Sequence, residues 1–219
     1  MIKRDLTTVA VLMMLTSAAQ AQHRPITTLD VAGVRLGATP TEASTALRAA
    51  GYKVDTWATP SFEQAVTREA ARRRAASLPW SKDAGVAKLI GDGPRLEHAE
   101  VSFLQTAAGP KVVEVTVLVP ATSITAAAAK AQLIGKYGQP DAIRGLGSEL
   151  NWCSPEVMKV CGVTLVLDGP QPNAYPILEA TARDGMFIAL RQGQLAEREA
   201  ERAQEAAIER LAPKTKAAF

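Results

Sequence analysis

Lys111-Val112-Val113-Glu114-Val115-Thr116-Val117-Leu118-Val119-Pro120 sets the fold class. Val113, Val115, Val117 and Val119 recur with a period of two, the spacing of a strand with one buried face. Pro120 has no N–H to offer and ends the run. Upstream, residues 96–105 form a second strand-like run, and Thr106-Ala107-Ala108-Gly109-Pro110 lies between the two as a turn. A hairpin with one apolar face needs a layer to cover that face.

Working outward, the covering layer is readable as helices. Thr39-Pro40-Thr41-Glu42 is a helix start, with Thr39 as cap, Pro40 at the first helical position and Glu42 completing a capping box. Ala43, Ala46, Leu47 and Ala50 follow at helical spacing, and Gly51 ends the helix. Residues 52–57 then alternate as a strand, with Tyr52, Val54 and Thr56 on one side. Downstream of Pro120, Ser123 is placed to cap a helix over 124–137 that Gly138 terminates and Pro140 blocks. Strands follow at 149–153 and 163–168. A hairpin spans 177–183 and 186–190, with Asp184-Gly185 as a type I′ turn signal.

Three segments depart from this rhythm. Ser61-Phe62-Glu63-Gln64 opens a further helix to about Ser77 with a thin stripe of Phe62, Ala65, Val66, Ala70 and Ala76. Residues 78–94, rich in Gly, Pro, Asp and Lys, read as a mobile connection, and 23–31 as a polar lead-in. Residues 194–211 are mostly Ala, Glu and Arg and read as a solvated helix, laced by pairs such as Glu199 with Arg202 and docked weakly by Leu195, Ile208 and Leu211. The pattern predicts an α+β fold: an antiparallel sheet with helices on one face, built from two helix-then-strands units at about 33–119 and 120–192 within one domain, 22–192. A charged helical tail, 193–219, follows, and the other face of the sheet is left as a binding surface.

The first 21 residues read as an address. Lys3 and Arg4 precede an apolar centre at Val9-Ala10-Val11-Leu12-Met13-Met14-Leu15, and Ala19-Gln20-Ala21 is a small-x-small cleavage site. A cleavable signal peptide implies a periplasmic protein with no transmembrane segment after cleavage. In an oxidising compartment Cys153 and Cys161 suit a structural disulfide better than free thiols. Closing their nine-residue loop is worth about 2.6 kcal/mol on the chain-entropy model.

Resemblance adds a family. Leu36-Gly37-Ala38-Thr39-Pro40-Thr41-Glu42-Ala43, then Lys136-Tyr137-Gly138-Gln139-Pro140, Trp152 and Leu165-Val166-Leu167-Asp168-Gly169, resemble the helix entry and the second half of the small exported BamE-like (SmpA/OmlA) proteins. Two such units in tandem are similar to the β-lactamase-inhibitory-protein architecture, and the arrangement also resembles exported proteins of α-proteobacteria. The resemblance implies a non-enzymatic binding or envelope-maintenance role. It transfers no functional residues, because the chain lacks a lipidated Cys and inserts the helix that begins at Ser61.

Chemistry is sparse in the sequence. There are two His and two Cys, and aromatics make up 5% of the chain, which argues against a structural zinc site and a base-stacking surface. Basic residues (25) exceed acidic ones (22) by too little to indicate nucleic acid. His98 shares a strand face with Glu100 but lacks the further partners of a metal or acid–base site. Asp168, Asp184 and Glu149 lie at strand ends and leave open a hydrolase of cell-wall or lipid substrates. Arg68, Arg72, Arg73 and Arg74 are the candidate anion-binding residues, suited to lipid head groups, lipopolysaccharide phosphates, cell-wall carboxylates or an acidic protein; a solvated helix face is the plainer alternative. No catalytic residue, metal or cofactor is assigned.

Overall fold

The computed structural model describes residues 25–78, 80–163 and 169–212. The proposed signal peptide, most of the 163–168 strand and the last seven residues lie outside them. A short hairpin comes first, β1 (Asp30–Val31) and β2 (Val34–Arg35). Next are α1 (Pro40–Ala49), β3 (Lys53–Thr59), α2 (Phe62–Arg73), β4 (Gly85–Asp92), β5 (His98–Thr106) and β6 (Gly109–Pro120). The second half has α3 (Ala126–Tyr137), β7 (Ala142–Arg144), β8 (Glu149–Cys153), β9 (Ile177–Arg183), β10 (Gly185–Arg191) and α4 (Gln194–Leu211).

Eight strands form one antiparallel sheet in the order β3-β4-β5-β6-β10-β9-β8-β7. Each half is a helix followed by a four-stranded meander, and the last strands of the two meanders, β6 and β10, pair at the centre. The fold is α+β, as the helix and strand signals indicate. α1 packs on β3, β4 and β6, α3 packs on β9 and β10, and the β1–β2 hairpin lies over β6 and β10 between them. Val101, Val115, Val117, Leu178, Ile188 and Leu190 meet Leu47 of α1 and Leu133 of α3 in one core.

Local signals account for both covering helices. Thr39 accepts from the Glu42 N–H while the Glu42 carboxylate accepts from Thr39, the reciprocal capping box. In α3 the cap is Thr125 and not Ser123, so the helix starts two residues later than its sequence suggests; the Ser123 hydroxyl instead donates to the Arg95 carbonyl. The end of α3 is pinned three ways. Tyr137 Oη donates to the Asp30 carbonyl, Lys136 pairs with the Asp30 carboxylate, and Trp152 Nε1 donates to the Gly138 carbonyl. Burial pushes the Tyr137 phenol well above its ordinary range, and the charge of Asp30 adds to that.

Several expectations are corrected. Residues 78–94 contain an eight-residue strand, β4, inserted between β3 and β5 with Leu89 buried. Its glycines hide it in the sequence, yet they fit the packing: a Cβ on Gly91 would lie 3.2 Å from the Tyr52 ring. The polar lead-in contains β1 and the buried Ile26 and Leu29. α2 stops at Arg73. At the β9–β10 turn only Gly185 has a positive φ (106°), whereas a type I′ turn needs one at Asp184 as well.

The alternation of the opening stretch is broken once. Ser102 faces Glu114, but Phe103 faces Val112, so Val113 is the extra residue of a β-bulge. Val112 enters the core and Val113 turns to the opposite face, against α4. A charged side chain at position 112 would therefore be buried and one at 113 only half-buried. Val112→Asp is expected to unfold the protein or cost more than about 3 kcal/mol, and Val113→Asp about 1 kcal/mol, in urea denaturation. Equal losses would contradict the bulge.

Candidate functional site

The register of the sheet fixes what lies on the face away from α1 and α3. One cross-strand row runs Trp57, Lys88, Ser102, Glu114, Arg191, Ile177, Cys153. The next runs Asp55, Ile90, Glu100, Thr116, Ala189, Glu179, Asn151, and the third Lys53, Asp92, His98, Leu118, Phe187, Thr181, Glu149. Arg144 of β7 extends the third row. These rows carry six acidic and four basic side chains, although basic residues are in excess over the whole chain.

At one end of this face stands a cleft of about 520 Å³. Its floor holds Ser102, Glu114, Glu179 and Arg191. One wall comes from the loop closed by the disulfide between Cys153 and Cys161, where Val157 packs against Ile177, followed by Gly162 and Val163 at the cleft; Tyr175, just before β9, packs on the same cluster. The other wall is the start of α4, with Gln194 and Glu197. Gly193 sets the approach of that helix: its φ is 89°, and a Cβ there would lie 2.6 Å from the Ala174 carbonyl oxygen.

Arg191 bridges two carboxylates on the floor. Its Nε donates to Glu114 Oε1 at 2.7 Å, and its Nη1 donates to Glu179 Oε2. In the adjoining rows Lys88 pairs with Glu100. At the opposite end of the face Leu118 and Phe187 sit directly across from one another, 49% and 37% exposed.

The candidate arginines are placed elsewhere, on α2. Arg68 pairs with Asp83 at 2.9 Å, and Arg72 donates twice to Glu69. Arg73 bonds Glu69 and makes a two-pronged contact with Glu205 of α4. Arg74 is the exposed residue that closes the helix. Three of the four are thus engaged in ion pairs, and Arg73 clasps α4 to α2 above an apolar contact of Val66 and Ala70 with Ile208. Ile208 is buried, while Leu195 and Leu211 stay exposed.

The other candidate groups do not converge. His98 Nδ1 lies 3.2 Å from Asp92, its cross-strand neighbour, rather than against Glu100. Asp184 is exposed at the β9–β10 turn, Glu149 begins β8, and Asp168 lies outside the described residues. Among the described residues no group of three or more His, Cys, Asp or Glu side chains could hold a metal ion, and no helix is long and apolar enough to cross a membrane. Glu114, Glu179 and Arg191 carry no local motif. A faint signal exists: Glu114 sits in a valine strand on the parity opposite the core, and Arg191 directly follows the buried Leu190. Set against protein-family models, curated proteins and solved structures, the chain matches none.

The ion pairs within α2 have a pH signature. Hydrogen bonds from Arg72 and then Arg73 hold the Glu69 carboxyl down at about 2, against the opposing effect of desolvation. A depressed carboxyl stabilises the fold above its unfolded value of about 4.3 and loses that contribution as pH falls through about 2. Glu69→Gln is expected to melt below wild type at pH 6, with the gap closing between about pH 4.3 and 2. A gap that stays constant over that window would contradict the assignment.

Proposed function

We propose that this protein is a non-enzymatic binding module of the cell envelope, exported to the periplasm, and that it holds a partner on the uncovered face of its sheet. One observation carries the reading: the sheet is packed by α1, α3 and the β1–β2 hairpin on one side, while the other side leaves Leu118 and Phe187 exposed in adjacent strands. Paired apolar side chains within a polar surface are the usual anchor of a protein contact. The N-terminal address supports export. The disulfide is compatible with an oxidising compartment, and the BamE-like resemblance agrees with an envelope role.

The hydrolase alternative would have to use the cleft. There Glu114 and Glu179 both accept hydrogen bonds from one guanidinium. A glycosidase pair needs one carboxyl protonated toward the leaving group and the other aimed at the sugar or at a water. Arg191 engages one oxygen of each carboxylate and favours the charged form of both, which opposes the protonated acid such chemistry needs. Anionic-lipid docking through α2 is weakened by the ion pairs already formed there.

The test is capture from envelope extracts by the immobilised protein, with Leu118→Asp/Phe187→Asp as the comparison and circular dichroism as the check of folding. Wild type is expected to retain a discrete partner that the folded double variant loses. Retention by the variant, or no capture by wild type, would contradict the proposal.

A further inference from the structure

We infer that the partner lays a lysine or arginine side chain into the cleft between Glu179 and Glu197 while an apolar side chain rests on Leu118 and Phe187. The inference rests on the function proposed above and names the chemistry of the partner.

Charge selects the occupant of the cleft. Glu114, Glu179 and Glu197 line it against one cation, Arg191, and that cation is already bonded to two of the three carboxylates. An anion entering the cleft would meet an excess of negative charge. A cation meets acceptors on the floor and on the wall. The remaining lining suits an alkyl stem, with Val163, Tyr175 and Ile177 around the carboxylates. Outside the cleft the face is balanced, with Asp55, Asp92, Glu100 and Glu149 against Lys53, Lys88, Arg144 and Arg183, so the negative excess is confined to the cleft. Complementary potential of this kind sets partner choice and association rate more than affinity.

Geometry adds a spacing. Arg191 and Phe187 lie on one strand, β10, four residues apart, which is about 13 Å in an extended chain. A partner segment laid along that strand would carry its basic and its apolar residue at the same separation, four positions apart when extended.

The probe is the pentapeptide acetyl-Lys-Ala-Ala-Ala-Leu-amide, titrated into the isotope-labelled full protein and followed by amide NMR shifts. Its counterpart has Glu in place of Lys. The lysine peptide is expected to give saturable shifts at Glu179, Arg191 and Phe187, weakened by salt and about fivefold weaker with Glu197→Gln, the loss of one charge at short range. Glu197 is exposed on the first turn of α4 and is not bonded to Arg191, so its replacement leaves the bridge on the floor in place. Equal binding of the glutamate peptide, indifference to Glu197→Gln, or no saturable shift up to about 10 mM, the weak limit for a single short segment, would overturn the inference. An envelope partner lost by Leu118→Asp/Phe187→Asp but unaffected by Glu197→Gln would overturn it while leaving the proposed function standing. A partner unaffected by either would remove both.

Discussion

The pairing of β6 with β10 is the constraint on which the rest of the structure depends. Seven residues of each strand lie in register, from Gly185 opposite Pro120 to Arg191 opposite Glu114. This seam turns two separate meanders into one sheet. It also decides which side chains go inside. With this register Val115, Val117 and Val119 join Ile188 and Leu190 in the core, and Glu114 and Arg191 fall together on the far side. Shifting one strand by a residue would send its valines out and its charges in. Burying Glu114 without Arg191 would cost several kcal/mol, so the register is strongly specified. The bulge at Val113 belongs to the same solution. It frees Val112 to pair with the chain that enters α1, through bonds between Val112 and both Gly37 and Ala38.

The two faces of that sheet have different fates because the connections differ. α1 and α3 each enter just before their own meander and close over one side. What reaches the other side is the disulfide loop at β8 and β9, and α4, which lies against β5 and Val113 with α2 packed on it. Both are held from behind, the loop by its covalent link and α4 by the Arg73–Glu205 clasp and the Ile208 contact. They stand as walls at one end and leave the other end open. A cleft with fixed walls beside an exposed apolar pair is a surface organised in advance, and preorganisation of that kind would lower the ordering cost of the binding proposed for it.

How much of this was legible in the sequence depends on how local the cause is. α1 was legible because Thr39, Pro40 and Glu42 act within one turn. The termination of α3 at Gly138 and the hairpin from β5 to β6 have equally local causes. β4 was not legible, since Gly85, Lys88 and Gly91 carry no strand preference and become a strand because β3 and β5 lie on either side. Alternation placed Val113 with the core valines, and nothing local marked the bulge that turns Val112 inward in its place. The arginines of α2 were visible as a cluster, but the glutamate of α4 that engages Arg73 lies 132 positions away. Arg191 and Glu114, 77 positions apart, meet only through the sheet register. Cys153 and Cys161, read with the compartment in mind, were legible as a pair, whereas the cleft wall that their link supports was not.

The most direct measurement is site-specific photo-cross-linking in intact cells, with the cross-linker placed in turn at Thr116 and Thr181 on the uncovered face and at Thr45 on the outer side of α1. If the uncovered face is the working surface, positions 116 and 181 give a discrete adduct and position 45 gives none. An adduct from position 45 alone, or no difference among the three, would contradict it.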